Sequence, residues 1–216
     1  MQLLLENSIA ILLVFPLLAL LLPLRKKIHK NENTFYIFGI IIVVFILLNN
    51  HFLWMNVKYY RLIDQGAISF ALFYLVMFTG ALKRRTKLYI MLMQIRREMA
   101  LLGFILLIPH SITRLSLAFA GYNPTGLIAM ILIVPLVITS YPLVRKKMTL
   151  FTWKKIHRAA YVVYLMIYIH LGFTIFISNG LSVSFASNSV LYHLGFGLYL
   201  VLKMIYRSIP YLRIKS

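Results

Sequence analysis

The chain has 216 residues, 62% of them hydrophobic and 12% charged, with a net charge of +19. So little charge excludes an ordinary soluble domain of this length. The absence of cysteine excludes disulfides, thiolate metal sites and thiol catalysis. The excess of lysine and arginine lies in the polar stretches between apolar runs. There it orients a membrane protein and gives no reason to expect nucleic acid as a partner.

The apolar runs are long enough for helical spans, and no series of short alternating strands suggests a membrane barrel. They predict an all-α integral membrane bundle of seven helices. The first is Ser8–Leu24. It lacks a basic leader and a small-residue cleavage site, and Arg25, Lys26 and Lys27 follow it, so it reads as a span and not as a signal peptide. The second, Phe35–Trp54, ends near His51 and an interfacial tryptophan. The third is Gly66–Leu82, and the fourth, Met99–Ala120, carries His110 and Arg114. Gly126–Val144 is the fifth. The sixth, His157–Ile177, carries His157 and His170, and the seventh, Val190–Ile205, carries His193.

Assigned to alternate sides of these spans, 20 lysines and arginines fall on one side and three, Lys58, Arg61 and Arg114, on the other. This asymmetry predicts a plasma (inner) membrane protein with its N-terminus outside and its C-terminus in the cytoplasm. His29 then reads as a solvated residue of a cytoplasmic loop, and His51 as an interfacial polar residue.

His110 and His170 lie well inside spans, where a polar ring is costly and needs a function. His110 is about 16 Å from the inner end of its helix, and His170 about 19.5 Å above His157. Thirteen residues separate Arg97 from His110, and thirteen separate His157 from His170. The two helices run in the same direction, so level placement of Arg97 and His157 makes His110 and His170 level too. A structural hydrogen bond, a proton relay and a metal site are the uses open to such a pair. The four acids, Glu6, Glu32, Asp64 and Glu98, lie at or near span ends, which disfavours a relay. No cluster supplies the three or four ligands of a zinc site. A haem needs only two axial ligands and an apolar slot. A non-haem transporter or scaffold with structural histidines is the reading from another class. The angular phase fits less well, since thirteen residues leave His157 and His170 about 140° apart around an ideal helix.

The stretch "WKKIHRAAYVVYLMIYIH", with its W-x-x-x-H-x-x-x-Y opening and distal histidine, resembles the fifth helix of the ferric reductase-like transmembrane domain family. "RREMALLGFILLIPH" resembles its third helix, and "GAISFALFYLVMFTGAL" the helix before that. The likeness runs from about Phe35 to the C-terminus. It implies a domain of residues 35–216 with a six-helix haem-binding core, preceded by an extra helix and basic loop over residues 1–34. The resemblance further implies b-type haem held by His110 and His170; Arg114, one turn above His110, would then pair with a propionate or snorkel to the interface. His157 matches the inner-haem ligand of two-haem members, but Arg96 and Arg97 stand where its partner would be. The haem-binding subunit of the periplasmic methionine-sulfoxide reductase system has arginines there as well. That branch implies one haem, with a second possible, and an inner electron-entry site using His157 and Arg97. It also implies an electron-transfer subunit and not a self-contained enzyme. The donor would be a cytoplasmic flavin reductase, FMN or quinol, and the acceptor an extracytoplasmic oxidoreductase. A metal or oxygen reductase borrowing a separate flavoprotein is the variant within the same family. No GxGxxG-type nucleotide loop is present in these 216 residues.

Overall fold

The computed structural model describes residues 9–56, 60–177, 180–186 and 189–212, with side chains described as far as Tyr206. Among the described residues, three helices are long and apolar enough to cross a membrane: α1 (Ile9–Lys30), α2 (Glu32–Phe52) and α6 (Arg96–Phe119). Around them lie α4 (Ala67–Thr79), α7 (Thr125–Ser140), α10 (Ala160–Gly172) and α11 (Val190–Leu212). Short helices link them: α3 (Arg61–Asp64), α5 (Lys87–Gln94), α8 (Pro142–Arg145) and α9 (Leu150–His157). The fold is all-α apart from one hairpin, β1 (Phe173–Phe176) with β2 (Ser182–Phe185).

The distribution of side chains is that of a membrane bundle. Large apolar groups such as Phe15, Phe38, Ile41, Ile131, Leu194 and Met204 point outward and are exposed. Asn49, Ser69, Thr79 and Glu98 are buried inside. A bundle dissolved in water would bury the first set; in hydrocarbon the outward apolar surface costs nothing and the interior takes the polar groups.

Helix α4 is the centre. Its 13 residues span about 20 Å, short of a bilayer's hydrocarbon thickness. Its small residues, Ala67, Ser69 and Ala71, are buried together with Leu72, Phe73, Leu75 and Val76. Gly103 lets α6 approach this helix, since a Cβ there would lie 3.3 Å from the Leu72 Cβ.

The described elements differ in detail from the expected spans. The inner connections predicted as loops fold into α5 and α9, each started by a threonine cap: Tyr89 N–H donates to Thr86 Oγ1 (3.4 Å) and Thr152 N–H to Thr149 Oγ1 (3.2 Å). The predicted sixth helix is divided. A turn at Arg158 and Ala159 separates α9 from α10, and Ala159 N–H and Tyr161 N–H donate to carbonyls three residues back, at Ile156 and Arg158. Such bonds wind the chain more tightly than an α-helix. They change the angular phase between His157 and His170, and both rings now meet α7, His157 at Thr139 and His170 at Gly126.

The sixth span also stops early. Expected to run to Ile177, it ends at Gly172, and Phe173–Phe176 pairs with Ser182–Phe185. The β-branched and aromatic run "FTIFI" and the Asn179-Gly180 pair are hairpin signals hidden in an apolar stretch. Gly180 has φ +113°, a conformation suited to glycine. The hairpin is fastened to the α6–α7 loop: Asn123 N–H donates to the Ile175 carbonyl (2.6 Å) and Ile177 N–H to the Gly121 carbonyl (3.0 Å).

Candidate functional site

His110 on α6 and His170 on α10 face each other across a cavity of about 690 Å³. Their ring centres are 6.3 Å apart, with planes inclined at 77°. The cavity wall is mostly apolar, including Phe70, Phe73, Leu107 and Ile133, and Arg114 also lines it. Its volume lies within the ordinary range for a cofactor pocket, roughly 300–1,000 Å³.

Local sequence explains how each ring is held. His110 Nδ1 lies 3.2 Å from the backbone carbonyl of Asp64. A carbonyl only accepts, so the proton sits on Nδ1 and leaves Nε2 as the nitrogen with a lone pair. Gly66 makes this approach feasible. It sits at φ +72° between α3 and α4, and a Cβ there would be 3.2 Å from His110 Cγ. On the other side, a Cβ on Gly126 would meet His170 Cε1 at 2.6 Å. The loop carrying Gly126 is tied to α10 by Asn123, whose side-chain amide donates to the His170 carbonyl (2.9 Å). His170 Nδ1 is buried without a hydrogen-bond partner.

Two imidazoles facing each other at this distance leave room for a metal between them. Among the described residues, no group of three or more His, Cys, Asp or Glu stands together as a metal cage. Two opposed imidazoles in an apolar slot suit a metal whose other ligands come with a macrocycle, and the orphaned His170 nitrogen and the glycine behind it suit that arrangement too.

The other histidines fall outside this cavity. His193 has both nitrogens engaged, Nδ1 with the Tyr168 hydroxyl (2.8 Å) and Nε2 with Ser189 Oγ (3.1 Å). His157 lies 3.1 Å from Thr139 Oγ1 through Nε2 and stacks on Trp153 at 4.1 Å. Thr139 Oγ1 is also 2.7 Å from the Pro135 carbonyl, to which it donates, so it accepts from the ring and Nε2 carries the proton. Arg96 interacts electrostatically with His157.

Arg97, expected beside His157 at an inner entry site, is taken up elsewhere. Its guanidinium pairs with Glu32 and with Glu98, the latter at 2.9 Å. Glu98 is 1% exposed and also meets His29 Nδ1 at 2.9 Å. His29 is therefore no loop residue; α1 continues past its predicted end at Leu24 to Lys30 and brings it to α6. In sequence Glu98 reads only as a span-end acid; its partner His29 comes from α1, and Arg97, its neighbour on α6, also reaches Glu32 of α2. Among the tyrosines of α10, Tyr168 binds His193 and Tyr161 lies under Lys203, whose Nζ is 3.7 Å from the ring centre.

No protein-family model matches the chain, and no solved structure matches it. A 125-residue stretch is 30% identical to an uncharacterised protein of Treponema pallidum (strain Nichols), covering 51% of this chain and 34% of that protein. The chain thus spans about a third of the length of this relative, whose name carries no function. Fold and site together define a mostly helical protein with three helices long and apolar enough to cross a membrane, among the described residues, and a paired-histidine cavity.

Proposed function

We propose that the chain is a transmembrane electron-transfer subunit that binds one b-type haem between His110 and His170. The observation carrying this reading is the 6.3 Å separation of two imidazoles across a large apolar cavity. When bound, haem supplies reversible one-electron chemistry. His110 and His170 would hold the haem iron, within a mostly apolar wall. Arg114, one helical turn beyond His110, is placed to pair with a propionate. A second haem at His157 is not proposed, because Nε2 is engaged by Thr139.

The wider reading places seven membrane segments in the plasma membrane, N-terminus outside and C-terminus inside, on the strength of the lysine and arginine asymmetry. The resemblance to the ferric reductase-like family supports electrons entering from a cytoplasmic flavin or quinol donor. They would leave to an extracytoplasmic acceptor of the methionine-sulfoxide reductase kind. The basic inner segments, Lys83–Lys87 and Arg145–Lys155, suit docking of an anionic donor.

The test is optical. Protein expressed with haem supplied and purified in detergent should show a sharp α band on dithionite reduction. A colourless protein would contradict the proposal.

A further inference from the structure

We infer that Asn50 and Tyr60 are positioning residues for His110. They act through Asp64 and tune the electronic character of the ligand as well as its orientation. This inference rests on the haem reading above.

The contacts form one chain from the outer loop to the ring. The Tyr60 hydroxyl donates to Asn50 Oδ1 at 2.7 Å. Asn50 Nδ2 donates to Asp64 Oδ1 at 3.2 Å. The backbone carbonyl of the same Asp64 accepts from His110 Nδ1, also at 3.2 Å. Asn50 comes from the end of α2, Tyr60 from the position preceding α3, Asp64 from the end of α3, and His110 from α6. Three elements therefore converge to fix one carbonyl.

The geometry of α3 makes that carbonyl depend on side chains. The helix is a single turn of four residues, too short to be stable alone. Asp64 N–H and Ile63 N–H both close on the Tyr60 carbonyl, and Gly66, in the left-handed region, ends the turn directly over the His110 ring. With its side chain held by Asn50, Asp64 cannot rotate its peptide away from Nδ1. An N–H donated to a fixed carbonyl keeps the ring tautomer with Nε2 free. It also raises the basicity of Nε2, which strengthens binding to the oxidised metal and lowers its potential. Outer partners of this kind are typically worth about 10–100-fold in metal affinity.

The test uses full-length haem-loaded protein and two variants, Asn50→Leu and Tyr60→Phe. The readouts are the midpoint potential, the ferric low-spin electron paramagnetic resonance signal, and the rate of haem transfer to apomyoglobin. Asn50→Leu should keep two-histidine ligation but show a higher potential, a shifted largest g value and roughly 10–100-fold faster haem loss. Tyr60→Phe should shift all three the same way by less, and it decides the matter if Asn50→Leu does not accumulate. Faster haem loss with unchanged potential and resonance in both variants would mean a purely structural role and overturn the inference. Wild-type protein without two-histidine haem would instead overturn the reading on which it rests.

Discussion

His110 and His170 stand 6.3 Å apart, centre to centre, although 60 positions separate them in sequence and they come from α6 and α10. Two details make the relationship more than proximity. The Asp64 carbonyl leaves the Nε2 lone pair of His110 free, and His170 has an orphaned nitrogen. Nearby His193 has spent both nitrogens on Tyr168 and Ser189.

Gly126→Ala should damage the site more than the fold. Alanine favours the helix, but its Cβ would lie 2.6 Å from His170 Cε1, so the ring must move. Overpacking of this kind costs about 1–3 kcal/mol. Haem content per chain should fall several-fold while circular dichroism remains helical. Full haem content would show that His170 has room that the geometry denies it.

His193→Ala should do the reverse. It leaves the Tyr168 hydroxyl and Ser189 without their partner, a loss of about 1–3 kcal/mol. Thermal unfolding should shift down with the absorption spectrum of the haem unchanged. A spectrum that changed with little loss of stability would make His193 a ligand.

Glu98→Leu should be destabilising. Glu98 is 1% exposed and joins His29 of α1 to Arg97 of α6. Removing one member of such a network strands the others, at a cost on the order of 2 kcal/mol once the partial exposure of Arg97 is allowed for. Lys83→Ala, on an exposed lysine, should change stability by less than about 0.5 kcal/mol. Equal effects of the two substitutions would remove the network from the account of how α1 is held.

The orientation should place Ser216 in the cytoplasm. A reporter active only outside the membrane, fused after Ser216, should be silent, as the distribution of 20 against three basic residues requires. Activity there would reverse the direction of electron flow.

The sequence made the histidine pair legible because matched spacing on two parallel helices fixes depth. It did not make clear which histidines were free. His193 is set aside by a tyrosine 25 positions earlier, and His157 by Thr139, and such contacts leave no mark on spacing. The apparent angular misfit of His157 and His170 rested on one continuous α-helix; the turn at Arg158 and Ala159 removes that premise. The hairpin was lost in the apolar run for a related reason. Hydropathy counts Phe173, Ile175 and Phe176 the same in strand or helix, and only the Asn179-Gly180 pair and the β-branched residues tell them apart. His29 and Arg97 show the same limit in the charged network: burial of Glu98 depends on where α1 ends, six residues beyond its apolar stretch.

The central claim is most directly tested by the haem-to-protein ratio of the wild type, His110→Gly and His170→Gly, measured by pyridine haemochrome with and without added imidazole. The account predicts one haem per chain in the wild type, almost none in either variant, and partial recovery in both when imidazole fills the vacated ligand position. Unchanged haem content in either variant, or a ratio of two in the wild type, would contradict it.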